Sequence, residues 1–311
     1  MARYIGNGPY CYANAISMLV ESAGERVEPS LVEALTGVGL GAFWLRDPRV
    51  TFFSNLGTAP DRGTSEALRI LGFDFKEHVS QDPGKPPWQE LRADLGKSPA
   101  ILGPLDMGYL THNPIHGELV GADHFVLAFA MDDREIRFHD PEGFPFSILP
   151  LEEMEQAWRA EQIDYRRGHY RYWTRPERVR RPTEQEVHDA ALAYFARTYR
   201  ESEKWASQGD WILDGQAIRI FADDVRKGEP TGRQIGHMQF FAFKLGARRA
   251  LDYATFFESR DKELSSFKGD QADLFGRCHV WAARRDWSAV ADGLRQVAEV
   301  EDAFRSALFA R

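Results

Sequence analysis

The sequence predicts an α+β domain followed by an all-helical domain. In the first half, helical stretches are followed by short apolar runs and a tight hairpin, a pattern typical of helices packed on an antiparallel sheet. A stretch rich in proline and arginine then precedes a second half in which almost every apolar pattern has helical spacing. We therefore predict a first domain over residues 1–175, a linker over 176–186 and a helical domain over 187–311.

The composition limits the classes of protein to which the chain can belong. The chain has 311 residues, 43% of them hydrophobic, and a formal net charge of -8 at pH 7. This charge argues against nucleic acid or an anionic membrane as a partner, and no apolar run reaches the length of a membrane span. The N-terminus lacks the apolar core of a signal peptide. Two cysteines, Cys11 and Cys278, are too few for a disulfide framework, although one long-range disulfide stays open. We expect a cytoplasmic protein.

The first predicted helix begins with a cysteine. A Gly-Pro turn precedes Cys11, and Ala15, Met18 and Leu19 then follow with the i, i+3, i+4 spacing of a buried helix face. At such a helix start, unpaired backbone N–H groups and the helix dipole favour a thiolate over a thiol. Cys11 is therefore a candidate nucleophile, and a small buried apolar residue is the alternative interpretation.

The remaining elements of the first domain alternate in type. Ser30 and Glu33 form a capping box at the start of the second helix, and the segment 42–64 has the composition of a long loop that lines a site or packs as a lid. The other predicted elements are helices at 65–71, 88–95 and 150–159, strands at 73–78, 99–103 and 165–173, a loop at 104–121, and a hairpin of strands 125–130 and 135–139.

The second domain is predicted to be a helical bundle. Thr183 and Glu186 form a capping box at its first helix, and stripes such as the one through Trp287 and Leu294 are typical of a bundle core. We interpret Cys278, on the fourth helix, as a structural residue. The predicted helices cover residues 183–205, 210–227, 232–260, 270–283 and 287–308.

A histidine and an aspartate on the hairpin complete a candidate site with Cys11. A thiolate nucleophile needs a base, and the base needs a third group that orients it. His124 immediately precedes the first hairpin strand, and Asp140 follows the second. Because paired antiparallel strands bring such positions side by side, we expect Asp140 to fix the His124 ring and stabilise its imidazolium form beside Cys11. Each residue alone has an ordinary structural interpretation, but the three together favour a Cys-His-Asp site.

The same region of the sequence offers atoms that bind metals. His112 and His116 lie near Asp106, Glu118 and Asp123 in the loop 104–121. A loop without regular structure does not fix a coordination geometry, so we predict no metal site there. We interpret His116 or His112 instead as a wall of the acyl pocket.

Several motifs resemble the papain-like cysteine peptidase superfamily, in particular its C39-peptidase-like branch. They are the stretch 124–127, the Asp-Pro-Glu-Gly turn at 140–143 and the following helix with Trp158. The stretch 99–106, His124 and the turn at 132–133 further resemble the N-terminal domain of the butirosin biosynthesis protein H family. This resemblance covers roughly residues 1–175. It implies a papain-like fold followed by a helical domain, and an acyltransferase of secondary metabolism that moves an acyl group from a carrier-protein thioester to an amine.

One position departs from the papain-like pattern. Such peptidases carry, six residues before the cysteine, a glutamine whose amide helps to form the oxyanion hole, and here that position is Ile5. Asn7 carries the nearest amide side chain and could replace it, with the backbone N–H of Cys11 as the second donor. Loss of one such donor costs about 100- to 1,000-fold in rate, which argues against an ordinary peptidase. Because a thioester is already activated, we interpret the departure as favouring thioester aminolysis.

The resemblance and the loop composition also suggest substrates and partners. The predicted substrate-binding residues are Tyr10, Tyr12, Phe43, Trp44, Asp106 and His116. We expect no cofactor beyond a phosphopantetheine arm that the acyl donor would carry. The expected partners are an acyl carrier protein or another acyl-thioester donor and a small amine, and a homodimer stays open. The arginine-rich stretch 165–181 is interpreted as a docking site for an acidic carrier protein, as a contact with a phosphopantetheine phosphate, or as a solvated strand edge and linker.

Three functions remain open from the sequence. The leading hypothesis is an acyltransferase or amide synthase of secondary metabolism that forms an acyl-Cys11 intermediate. The first alternative is a cysteine peptidase or amide hydrolase of the C39-like type. The second is a non-catalytic binding module on the same scaffold.

Overall fold

The computed structural model describes residues 3–6, 8–209, 211–228 and 230–311. The chain forms two compact units, which comprise Met1–Val32 with Pro60–Pro182, and Glu33–Ala59 with Thr183–Arg311. The first unit combines helices with an antiparallel sheet and the second is mostly helical. The predicted α+β class with a helical C-terminal region is therefore confirmed.

Helices and strands alternate in the first unit, and helices dominate after it. The helices are α1 (Cys11–Ser22), α2 (Pro29–Thr36), α3 (Pro60–Ile70), α4 (Trp88–Leu95), α5 (Leu151–Arg159), α6 (Glu184–Gln208), α7 (Asp214–Lys227), α8 (Gly232–Gly236), α9 (Phe243–Phe257), α10 (Lys262–Ala283) and α11 (Trp287–Phe309). The strands are β1 (Phe43–Leu45), β2 (Val50–Phe52), β3 (Phe73–Ser80), β4 (Ala100–Asp106), β5 (Asp123–Met131), β6 (Glu135–Asp140), β7 (Phe144–Pro150), β8 (His169–Arg178) and β9 (Ile212–Leu213).

A six-stranded sheet of order β3-β8-β4-β5-β6-β7 organises the first unit. Helix α1 packs on β4 and β5, where the ring of Tyr12 lies edge-on to Phe125 at 5.9 Å. Because successive side chains of a strand point to opposite faces, Val126 lies on the other face of the sheet. There it shares a buried cluster with Leu91 of α4 and Trp158 of α5. The sheet thus lies between α1 on one side and α4 and α5 on the other.

The predicted hairpin is present and is followed by a strand that the sequence did not predict. Strands β5 and β6 pair antiparallel, with Leu127 opposite His139. Strand β7 then pairs with β6 at the edge of the sheet. It contains Pro145 and Pro150, which indicate a break in an interior strand but are tolerated on an edge strand.

The second unit begins earlier in the chain than the sequence predicted. Residues 33–59, expected in the first domain, form β1 and β2 and contact the helical part. Strand β1 pairs with β9 as well as with β2, and Glu33 forms an ion pair with Arg249 at 2.8 Å. These long-range contacts correct both the domain boundary and the interpretation of 42–64 as a loop.

The predicted linker is also shorter in the structure. Strand β8 continues to Arg178, and α6 begins at Glu184, so part of the expected 176–186 linker is regular structure. The predicted capping box at α6 is confirmed, since the Thr183 side chain and the Glu186 carboxylate each bond with the other residue's backbone N–H.

The helices of the second unit enclose one buried apolar cluster, which includes Phe221, Phe243, Cys278 and Leu294. The long helix predicted over 232–260 is divided into α8, a π-helical segment (His237–Ala242) and α9. Helix α10 begins at Lys262, eight residues before the predicted start, because the side chain of Asp261 caps it. Among the described residues, the structure has no helix that combines the length and the apolar character of a membrane span.

Candidate functional site

The turn before α1 places Cys11 at the start of a buried helix. Gly8 and Tyr10 both have a left-handed backbone, with φ of 83° and 68°, so the chain reverses sharply just before Cys11. The amide of Asn14 then donates to the carbonyl of Tyr10 at 2.9 Å and fixes this turn from inside the helix. The thiol of Cys11 is half-buried, and Cys11 forms no disulfide.

The hairpin brings His124 and Asp140 into direct contact. Nε2 of His124 lies 2.6 Å from Oδ1 of Asp140, and both side chains are buried. The register that pairs Leu127 with His139 brings His124, three residues before Leu127, and Asp140, directly after His139, to the same end of the hairpin. The expected contact between the two side chains is therefore confirmed. Their catalytic role stays a prediction.

The side chain of His124 also bonds with Cys11. Because Nε2 of His124 bonds with Asp140, Nδ1 is the ring nitrogen that can bond with the sulfur of Cys11. Burial by itself lowers the pKa of His124, but the charges of Asp140 and Cys11 outweigh it and raise this pKa well above its usual value. The arrangement therefore favours an imidazolium ring at His124, hydrogen-bonded to the Asp140 carboxylate on one side and to Cys11 on the other.

Both oxygens of the Asp140 carboxylate are hydrogen-bonded. Oδ1 also accepts from the backbone N–H of Glu142 at 2.8 Å, and Oδ2 lies 2.8 Å from Nε2 of His112. Burial alone would raise the pKa of Asp140, but the His124 charge and the bonds from both histidines hold it well below the usual range. Asp140 thus remains a carboxylate inside the protein.

The N-terminal segment ties the turn before Cys11 to the turn after Asp140. The hydroxyl of Tyr4 donates to the carbonyl of Asp140 at 3.1 Å, and the N–H of Gly8 donates to the carbonyl of Pro141 at 3.2 Å. A Cβ atom on Gly6 would lie 2.6 Å from the carbonyl oxygen of Pro141, so this close approach requires glycine.

His112 was not predicted as a partner of Asp140. The sequence indicates His112 as a candidate metal ligand or as a wall of the acyl pocket, and it lies in a loop 28 residues before Asp140. Its ring lies edge-on to Phe138 at 5.0 Å and to Phe144 at 5.4 Å. No local pattern in the sequence indicates a contact that depends on the fold of this loop.

Tyr165 is a second residue that the sequence did not indicate as part of the site. Its hydroxyl donates to Oδ2 of Asp123 at 2.7 Å. Burial, followed by the charge of Asp123, raises the pKa of Tyr165 well above its usual value, and the charges of Asp61 and Cys11 add to this effect. The phenol therefore lies within the electrostatic field of the cysteine and stays protonated.

Two predicted substrate-binding residues are buried beside Cys11. The side chains of Tyr10 and Tyr12 are 4% and 5% exposed, and Tyr12 packs on Phe125. Phe43 and Trp44 lie on β1 in the second unit. Their contact with substrate stays a prediction.

Asp106 and His116 organise the loop that carries His112. Oδ1 of Asp106 accepts from the N–H groups of Gly108 and Gly121, both at 2.9 Å. Nδ1 of His116 lies 2.8 Å from the carbonyl oxygen of Gly108. These contacts hold the loop, and the predicted contact of both residues with substrate stays a prediction.

The predicted donors of the oxyanion hole are the Asn7 side chain and the backbone N–H of Cys11. Asn7 lies outside the described residues. Ile5 is half-buried and offers no side-chain donor. The N–H of Cys11, at the first residue of α1, stays the predicted second donor.

Three ligand atoms of His124, Asp140 and Glu142 lie within 4.8 Å of one another, which is close enough to hold a metal ion. His124 and Asp140 are already joined by a direct hydrogen bond of 2.6 Å. An ion held by this group would therefore compete with that hydrogen bond.

The arginines of the stretch 165–181 make contacts within the first unit. Arg171 is 5% exposed and forms ion pairs with Glu77 and Asp61. Ion pairs also join Arg167 to Asp61, Arg175 to Asp94, and Arg178 and Arg181 to Glu25. Much of this positive charge is therefore paired with carboxylates of the first unit itself.

Two comparisons place the chain among known sequences. Residues 208–309 match the model of the YobF C-terminal domain. The chain is 43% identical over 305 residues to the uncharacterized protein YobF of Bacillus subtilis (strain 168), which covers 98% of this chain and 97% of that protein. The similarity therefore extends through both units.

Proposed function

The chain belongs to the YobF family, and we propose that it is a cysteine-dependent acyltransferase that passes an acyl group through Cys11 to an amine. The observation that carries this proposal is the chain of contacts from Cys11 to His124 and from His124 to the buried Asp140. A cysteine at a helix start, bonded to a histidine that a carboxylate orients, has the arrangement of an activated nucleophile.

The proposed first step forms the acyl-enzyme. The thiolate of Cys11 attacks the carbonyl carbon of a thioester, and the C–S bond of the donor breaks. The departing thiolate takes a proton from the His124 imidazolium and leaves as a thiol. His124 is then neutral, and its Nε2–H still donates to Asp140.

The second step transfers the acyl group. An amine attacks the carbonyl carbon of acyl-Cys11, and Nδ1 of His124 takes a proton from the amine nitrogen. The bond between the acyl carbon and Cys11 breaks, which releases the amide and restores the thiolate and the imidazolium. Neither step changes an oxidation state.

The choice of a thioester over a peptide rests on Ile5. Its side chain supplies no donor for the oxyanion, and loss of one donor is worth about 100- to 1,000-fold in rate. A thioester has a better leaving group than a peptide and depends less on this donor. We propose an acyl carrier protein as the natural donor and a small amine as the acceptor.

Mass spectrometry of the intact chain tests this proposal. The purified protein is incubated with a hexanoyl thioester of N-acetylcysteamine and then with or without butylamine. We expect a hexanoyl adduct on Cys11 that disappears faster with the amine and yields the amide. Cys11→Ala and His124→Gln should give no adduct, whereas Cys278→Ala should behave as wild type.

Other outcomes decide between the alternatives. Release of hexanoic acid at a rate that the amine does not change would favour the hydrolase. If no adduct forms and iodoacetamide modifies Cys11 no faster than an ordinary free thiol such as N-acetylcysteine, both enzymatic functions are wrong and the binding module remains.

A further inference from the structure

We propose that His112 is a positioning residue that holds Asp140 against His124. This inference rests on the function proposed above for Cys11. Nε2 of His112 lies 2.8 Å from Oδ2 of Asp140, the carboxylate oxygen that His124 does not use. One buried carboxylate is thus bonded by two imidazole rings, one on each oxygen.

The bond from His112 fixes the rotation of the carboxylate. A carboxylate held at one oxygen can turn about its Cβ–Cγ bond, whereas donors on both oxygens define its plane. The N–H of Glu142 holds Oδ1 from a second direction at 2.8 Å. Oδ1 therefore stays aimed at Nε2 of His124, which in turn keeps Nδ1 aimed at Cys11.

The loop is built to hold His112 in this place. On one side of it, the hydroxyl of Thr111 donates to Glu153 of α5. On the other side, the amide of Asn113 donates to Glu142 at 3.1 Å, and Asn113 is 3% exposed. Both neighbours of His112 are therefore tied to elements that flank Asp140.

Aromatic contacts fix the orientation of the His112 ring. The rings of Phe138 and Phe144 lie edge-on to it at 5.0 and 5.4 Å. Nδ1 of His112 is buried and has no hydrogen-bond partner among the described residues. The His112 tautomer with its proton on Nε2 fits these contacts. The Nε2 proton then points at Asp140, and the unprotonated Nδ1 is the nitrogen that lacks a hydrogen-bond partner.

The role of His112 predicts a change in the pH at which Cys11 becomes reactive. The titratable groups around the Asp140 carboxylate come from the flanking elements: they are His124, His112, Tyr4 and Glu142, and Cys11 is reached through His124. Without the bond from His112, the Asp140 carboxylate turns more freely and its Oδ1 is aimed less well at Nε2 of His124. It then stabilises the imidazolium less, so the thiolate should form only at higher pH.

The test is the rate of alkylation of Cys11 by iodoacetamide between pH 4 and 9, measured on the full chain. His112→Phe keeps a ring between Phe138 and Phe144 but removes the donor. In the pH profile of His112→Phe, we expect the acid limb to shift by about one unit toward higher pH. This is the size expected for the loss of one hydrogen bond to a charged group. His112→Gln, whose amide reaches as far as Nε2, should return the limb close to that of wild type.

A control separates this effect from a loss of folding. His169 bonds to the carbonyl of Arg159 at 2.7 Å, and His169→Phe should leave the profile unchanged. If His112→Phe does not fold, His112→Asn replaces it, because its shorter amide does not reach Oδ2 and should shift the limb in the same way. A merely structural His112 would lower thermal stability in these variants without moving the profile.

The outcomes distinguish this inference from the proposed function. If wild-type Cys11 shows the reactivity of an ordinary thiol, the proposed function is wrong, and the inference with it. If wild-type Cys11 is activated and His112→Phe or His112→Asn keeps the wild-type profile, only the role of His112 is overturned.

Discussion

Nε2 of His124 and Oδ1 of Asp140 lie 2.6 Å apart inside the first unit, on neighbouring strands of one hairpin. Burial and the ion pair have opposite effects on the charges of these two groups. Burial disfavours the charge on each group separately, but the two charges stabilise each other. The pair is stable as an ion pair for this reason, and removal of one partner leaves the other charge buried and unpaired.

We predict that Asp140→Asn lowers stability in a pH-dependent way. The pKa of Asp140 is lowered in the folded protein, so its carboxylate stabilises the fold above pH about 4, and this contribution is lost as the pH falls further. The variant should cost about 3 kcal/mol at pH 6, and this difference should shrink by roughly 1 kcal/mol at pH 3. Unfolding in guanidinium chloride at both pH values measures it.

The matched control is Asp133→Asn, because Asp133 is an exposed aspartate of the same hairpin. It should leave the unfolding midpoint unchanged within error at both pH values. A difference between wild type and Asp140→Asn that stays constant from pH 6 to pH 3 would contradict a buried carboxylate with a lowered pKa.

The two cysteines should respond differently to alanine. Cys11 is half-buried, so Cys11→Ala should change the free energy of unfolding by less than about 1 kcal/mol. Cys278 is fully buried, and burial raises its pKa to about 12. Cys278→Ala should leave a small cavity beside Gly293 and cost about 1–2 kcal/mol. Chemical unfolding of the two variants side by side tests this, and an equal cost would show that Cys11 is a core residue.

We predict that Arg171, a buried arginine of the stretch 165–181, stabilises the fold. Arg171→Met removes the ion pairs with Glu77 and Asp61 and leaves two carboxylates with fewer partners. We expect a loss of about 3–5 kcal/mol in the free energy of unfolding. Arg181→Gln, at an exposed position, should leave the unfolding midpoint unchanged within error. Equal stability of the two variants would contradict this distinction.

The sequence predicted best where contacts are local. Thr183 and Glu186 lie three residues apart, so a capping box can be recognised from spacing alone, and the structure contains it. His124 and Asp140 lie 16 residues apart, but one tight hairpin joins their strands, so their contact also followed from local rules.

The errors concern contacts between distant parts of the chain. Residues 33–59 belong to the second unit because β1 pairs with β9, about 170 residues later, and a two-residue strand gives no signal of its own. The bond of His112 to Asp140 depends in the same way on how the loop 107–122 folds back over the hairpin. Periodicity and spacing describe one element at a time and do not contain this information.

The helical unit offers a prediction that is independent of Cys11. Asp214 begins α7 with a left-handed backbone, and its Oδ1 accepts from the N–H of Ala42 at 3.2 Å. Burial and then the charge of Glu301 raise the pKa of Asp214 to about 7. Between pH about 4 and 7 the folded chain therefore holds a proton that the unfolded chain has released. Stability should fall as the pH rises through this range and become constant above it.

Asp214→Asn should remove this loss of stability. Asparagine tolerates a left-handed backbone, can still accept from Ala42 and carries no charge. From pH 5 to pH 8, wild type should lose roughly 2 kcal/mol relative to the variant, measured by guanidinium unfolding of the full chain. Asp223→Asn is the control, because Arg295 lowers the pKa of Asp223 and its contribution changes only at acid pH. If wild type and Asp214→Asn have parallel stability curves from pH 5 to pH 8, Asp214 is ionised in the folded protein throughout that range, and its carboxylate is compensated by the nearby Arg305.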